Sequence, residues 1–194
     1  MNYPLSMSFK VLAIARQISV TDASGNLIFY VKQKAFKLKE AVTVFADAGQ
    51  TQPVYSINAN KVIDFSARYT FTDNAGRPLG SVRRKGMKSI WKAYYEVLDG
   101  ENVVMTITEE NAWTKVLDSL IGEIPVLGMF TGYLFHPAYL VSRQNGSVVM
   151  RLEKQPAFFE GKFIIQKQAE MNQQEETLAL LSLTMMILLE RHRG

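Results

Sequence analysis

Leu178-Ala179-Leu180-Leu181-Ser182-Leu183-Thr184-Met185-Met186-Ile187-Leu188-Leu189 is the stretch on which the fold turns. Glu175 and Glu176 open it, and Arg191, His192 and Arg193 close it, so the charges suit both ends of a helix dipole over residues 175–191. Between them every helical face is apolar. Such a helix must be buried all round, in a protein core or in lipid. Length decides between the two: a membrane span needs about 20 apolar residues, whereas runs of roughly 10–14 belong to core helices. This run is short, and Ser182 and Thr184 interrupt it. The reading is a core helix, and the rest of the chain must supply a wrapping for it.

That wrapping is written as a repeat. Ile18-Ser19-Val20-Thr21-Asp22 leads through Ala23-Ser24-Gly25 into Asn26–Lys34. Tyr69-Thr70-Phe71-Thr72-Asp73 leads through Asn74-Ala75-Gly76 into Arg77–Lys85, and Tyr139-Leu140-Val141-Ser142-Arg143 leads through Gln144-Asn145-Gly146 into Ser147–Lys154. Each unit reads strand, turn, strand. The glycine stands where a short hairpin needs positive φ, and Asp22 and Asp73 stand where a carboxylate can accept from the turn's own amides. Further β-prone runs follow at Ala41–Phe45, Trp91–Val97 and Lys162–Ile165. Asp99-Gly100 joins Tyr94–Leu98 to Val103–Thr108, and Pro53–Ile57 and Lys61–Phe65 are weaker strands. Close to a dozen short strands with regular turn signals predict a sandwich or a barrel. A sheet closed around a helix buries that helix and removes the exposed strand edges.

The repeat is uneven. Gly25 and Gly76 lie 51 positions apart, but Gly76 and Gly146 lie 70 apart. The extra residues fall near 109–137, where Trp113, Val116, Leu117, Leu120 and Ile121 have helical spacing, with Asn111 as a cap and Gly122 and Pro125 as a stop. The run Ile124–Phe135 that follows is apolar and glycine-studded.

Composition bounds the possibilities. Hydrophobic residues at 47% and charged residues at 21% describe one ordinary globular domain over 1–194 and exclude wholesale disorder. There is no cysteine, which removes disulfides, thiolate metal sites and cysteine nucleophiles and fits a cytoplasmic location. The net charge of +4 is far from the density of a nucleic-acid binder, so no nucleic-acid partner is expected. Met1–Lys10 has no basic start before an apolar run, so no signal peptide is read there.

With the repeated strand-Asp-x-x-Gly-strand pattern ending in Val31-Lys32-Gln33-Lys34 and Val82-Arg83-Arg84-Lys85, the Phe36–Asp47 stretch and the apolar terminal helix, the chain resembles the LURP-one-related proteins from about Ile18 to Glu190. These are grouped with phospholipid scramblases and the tubby C-terminal domain. The resemblance implies a mainly β fold, a twelve-stranded closed barrel threaded by the C-terminal helix. It does not carry over scramblase chemistry, because the palmitoylated cysteines and the calcium segment have no counterpart here. Tubby domains bind phosphoinositides through basic side chains on one face.

Catalytic signatures are absent from the sequence. There is no G-x-S-x-G elbow, P-loop, G-x-G-x-x-G after a strand or H-x-x-x-H pair. His136 and His192 are the only histidines, and a lone histidine is more often structural than catalytic. The pairs Glu109-Glu110 and Glu175-Glu176 read as acids complementing helix starts. Asp73-Asn74-Ala75-Gly76 and Asp99-Gly100-Glu101-Asn102 offer too few oxygens for the 6–8 that calcium takes, so they are turns and no metal or other cofactor is expected. Two leads remain. Arg83, Arg84, Lys85, Lys88 and Lys92 cluster around Trp91, and Lys32 and Lys34 hold the equivalent place in the first repeat. If the repeats stack around a barrel, both clusters meet near one rim and suit an anionic lipid headgroup; lysines that protect sheet edges are the plainer alternative. If the strand through this cluster is regular, alternation turns Arg84 away from Arg83 and Lys85. The second lead is apolar: Trp113, Phe130 and Phe135 offer a contact surface, or else a plug for one barrel mouth. The expected function is a non-enzymatic binding or scaffold module, peripheral to membranes through anionic phospholipid. The alternatives are a small-molecule carrier or enzyme with a pocket near 112–137, and a protein-binding adaptor.

Overall fold

The computed structural model describes residues 1–12, 15–34, 41–60, 67–85, 93–110, 137–156 and 161–190. They form twelve strands and one helix. The strands are β1 (Leu5–Leu12), β2 (Ala15–Thr21), β3 (Leu27–Lys34), β4 (Val42–Phe45), β5 (Pro53–Ala59), β6 (Arg68–Asp73), β7 (Pro78–Arg84), β8 (Tyr94–Asp99), β9 (Asn102–Glu109), β10 (Ala138–Arg143), β11 (Val148–Gln155) and β12 (Gly161–Lys167). The helix, α1, spans Gln173–Glu190. Each strand pairs antiparallel with its neighbours in sequence, and β1 pairs with β12, so the sheet is a closed barrel. Closure leaves no sheet edge to template aggregation.

The helix fills this barrel. Every residue from Thr177 to Leu188 is buried, as an all-round apolar helix requires. Against it the strands turn alternate side chains inward, among them Met7, Ile18, Val31, Phe71, Val97 and Ile165. Fully burying one such side chain contributes about 1.5–3 kcal/mol. Two hydroxyls share the core. Thr184 Oγ1 donates to Leu180 O at 2.8 Å, while Ser182 Oγ has no hydrogen-bond partner among the described residues.

The three sequence repeats are three copies of one hairpin. In each, the residue before the turn donates to a carbonyl four positions on: Asp22 N to Asn26 O, Asp73 N to Arg77 O, Arg143 N to Ser147 O. The glycines take φ +83°, +78° and +84°. A register shift falls at the same place in each first strand, between Val20 and Thr21, Phe71 and Thr72, and Val141 and Ser142. Asp22 Oδ1 accepts from Ser24 N and Asn26 N, and Asp73 Oδ1 accepts from Ala75 N and Arg77 N. In the third copy Asn145 Oδ1 takes over, accepting from Ser147 N. That frees Arg143, whose guanidinium grips Glu175 of α1 at 2.7 and 2.9 Å.

The first strand is one the sequence reading passes over. Leu5-Ser6-Met7-Ser8-Phe9-Lys10 alternates perfectly, with Leu5, Met7 and Phe9 in the core, yet it was weighed above only as a leader. β1 is what closes the barrel. The expected strand at Lys61–Phe65 and the expected helix beginning at Trp113 lie outside the described residues.

Direction sorts the connections into two rims. Turns 22–26, 46–52, 74–77, 100–101 and 144–147 share one end of the barrel, the hairpin rim. The strand ends that bracket 13–14, 35–41, 60–67, 85–93, 110–137 and 156–160 share the other, the distal rim. α1 starts at the hairpin rim, where Asn172 Oδ1 accepts from Glu175 N, and it ends at the distal rim.

Candidate functional site

β3 and β7 both run into the distal rim, so Lys32, Lys34, Arg83, Arg84 and Lys85 are delivered to the same end of the barrel, with β4, β5 and β6 between the two groups. Lys32 is exposed. Lys34 is the last residue of β3. Lys88 and Lys92, and the apolar candidates Trp113, Phe130 and Phe135, lie outside the described residues, as do His136 and His192.

Alternation splits the β7 cluster. Arg84 turns into the barrel mouth, its side chain only 11% exposed, with its guanidinium carbon 5.9 Å from the centre of the Tyr95 ring. It stands 3.7 Å from Glu190 at the end of α1, and Tyr95 Oη donates to the same Glu190 oxygen. Burial, and then the Glu190 carboxylate, pushes the Tyr95 hydroxyl well above the ordinary tyrosine range, so it stays a donor. Arg84 therefore holds the helix end and does not face solvent as a headgroup ligand would.

Arg83 and Lys85 turn outward, and a buried acid sits between them. Register places Arg83 opposite Glu96 of β8. Arg83 Nε and Nη2 reach Glu96 Oε2 at 2.8 and 2.7 Å, and Lys85 Nζ reaches Oε1 at 2.7 Å. The Glu96 side chain is 6% exposed, whereas Arg83 and Lys85 keep 39% and 49% of theirs in solvent. Burial pushes the Glu96 carboxyl up, but the hydrogen bonds and charges of Lys85 and Arg83 outweigh this and hold it below its ordinary value. Three charges thus sum to one net positive charge with two exposed cationic heads. Arg68, opposite Arg83, reaches the other way: it donates to Ser81 Oγ at 2.8 Å and pairs with Glu101 of the hairpin-rim turn at 2.6 Å. Glu96, Tyr95 and Glu190 are the residues of this site that do not figure among the sequence candidates. Glu96 carries a legible signal, since it is the one charged residue inside an otherwise apolar strand start, Tyr94-Tyr95-Glu96-Val97-Leu98.

A cleft of about 330 Å³ opens at the hairpin rim, between Asp99, Val104 and Met105 and the start of α1 at Asn172–Leu178. It lies at the opposite end from the bounds of the 112–137 segment, where the carrier alternative expects its pocket. Among the described residues, no three His, Asp or Glu side chains come together in a way that could hold a metal ion. No helix among them is long and apolar enough to cross a membrane.

The LURP-one-related family matches residues 27–174. The chain belongs to the LURP-one-related family. An X-ray structure of an Arabidopsis thaliana protein shares the fold, with a TM-score of 0.51 at 15% identity, over 98% of this chain and 92% of that one. None of the curated proteins matches the sequence. In this LURP-one-related chain the matched span begins at β3 and ends at the first turn of α1. β1, β2 and most of the helix, which close and fill the barrel, therefore fall outside it.

Proposed function

We propose that this LURP-one-related barrel is a non-catalytic binding module that rests its distal rim on anionic phospholipid headgroups, as a peripheral protein of the cytoplasmic membrane face. One observation carries the reading: two strands far apart in sequence bring Lys32, Arg83 and Lys85 to the same rim with side chains open to solvent. Each basic residue near an anionic bilayer contributes about 1 kcal/mol. A rim engages a flat surface more readily than a barrel wall does, because all of its strand ends approach together.

Lys32 gives the clean probe, since Arg83 and Lys85 also hold a buried acid. Wild-type protein should cosediment with phosphatidylserine vesicles at low salt and release them towards physiological salt, where screening shortens to about 8 Å. Lys32→Glu should weaken this binding while leaving the melting temperature unchanged, because an exposed charge contributes little to stability. Wild-type protein that ignores anionic vesicles at low salt overturns the membrane reading. An apolar ligand that copurifies with the protein would instead favour a carrier.

A further inference from the structure

We propose that Glu96 is the positioning residue of an anion site whose ligating groups are Arg83 and Lys85, an inference that rests on the headgroup reading above and deepens it. Long basic side chains at a barrel rim are ordinarily free to rotate, and a ligand that engages them must first order them. Here the ordering is already done. Glu96 lies almost wholly buried beneath the pair and binds Arg83 through Nε and Nη2 and Lys85 through Nζ. Both side chains stay substantially exposed while so held, which leaves each open to a ligand from solvent. Two fixed cationic donors side by side suit the oxygens of a phosphate group.

The role has a signature that charge alone does not share. Glu96→Gln adds one positive charge to the face, so simple attraction to an anionic surface predicts tighter binding. Positioning predicts the reverse, because the loss of two ordered side chains outweighs the gain of one charge. The experiment measures binding of the full chain to phosphatidic acid vesicles at fixed salt, with inorganic phosphate in solution as the second probe. Glu96→Gln is expected to weaken vesicle binding roughly fivefold despite its added charge. Glu96→Asp keeps the charge but is one methylene short of the two cations, and should also weaken binding. Should Glu96→Gln fail to melt cooperatively, Glu96→Asp decides the matter. Binding by a folded variant that equals or exceeds wild type overturns the inference and leaves the membrane reading standing. A wild type that ignores vesicles but takes up inorganic phosphate in a Glu96-dependent way does the opposite, keeping the site and removing the membrane. A wild type that takes up neither probe overturns both.

Discussion

The two rims of this barrel are built on different principles. At the hairpin rim three turns are closed by their own aspartates: Asp22, Asp47 and Asp73 accept hydrogen bonds from amides at most five residues on, which hold their carboxyls below the ordinary range against the opposing effect of burial. At the distal rim the polar contacts join residues far apart in the chain. Glu190 meets Tyr95 and Arg84, and Glu96 meets Arg83 and Lys85. The aspartate turns, and the Arg143–Glu175 pair that ties the third hairpin to α1, serve structure, so changes at the hairpin rim should act on stability alone. The distal rim draws charge from several strands, and changes there should reach binding as well.

The helix serves both rims and yields the largest effect. Leu181→Asp buries an unpaired carboxylate at a position with no exposure and should abolish folding. Removal of residues 177–194 should likewise leave insoluble protein. A soluble truncation with a cooperative melting transition would show that the barrel stands without its core, and the comparison of rims would lose its common support.

Next comes a glycine that no turn requires. Gly80 in β7 has φ +137°, and a Cβ there would lie 2.6 Å from Leu98 O and 2.7 Å from Leu178 Cδ1. Strain and overpacking combine, so Gly80→Val should cost about 3 kcal/mol or more. At Gly76 a Cβ would meet nothing within 4 Å, so Gly76→Val should suffer chiefly its backbone strain, on the order of 1–2 kcal/mol. Chemical denaturation should rank them in that order. Equal costs would mean that β7 does not approach the helix as closely as this.

At the distal rim, Tyr95→Phe removes a hydrogen bond to a carboxylate and should cost about 1.5–3 kcal/mol by the same measurement. A loss below about 0.5 kcal/mol would mean that Glu190 does not hold the helix end.

The smallest effect is on pH dependence. Glu96 has a folded-state carboxyl below its unfolded value, so its ion pairs add stability above the ordinary carboxylate range, and that stability is lost as pH falls through the folded value. The melting temperature of the wild type should therefore drop as pH is lowered from about 5 towards 3. Glu96→Gln should show a shallower drop, with the residual slope coming from Asp22, Asp47 and Asp73. An unchanged slope would assign the whole pH response to the hairpin rim.

Local chemistry is what makes the hairpin rim readable. The glycine and aspartate signals at 22–25 and 73–76 act within a few residues, so their turns, their strands and even the shared register shift follow from three aligned segments. The burial of α1 was legible for a similar reason, since an apolar helix of that length has few other places to go. β1 was legible too, in the alternation of Leu5, Met7 and Phe9, although a reading confined to leaders passes over it.

The site is another matter. Sequence alone placed Arg83, Arg84 and Lys85 in one cluster and correctly turned Arg84 the other way, because side-chain direction along a strand has a period of two. It could not say that Glu96 lies beneath Arg83 and Lys85, that Arg84 is bound to the helix end, or that Gly80 is pressed against Leu178. Those facts depend on the register between β7 and β8 and on the depth at which α1 sits in the barrel. Register and depth are settled by the packing of all twelve strands around one helix at once, so they belong to no single segment of the chain.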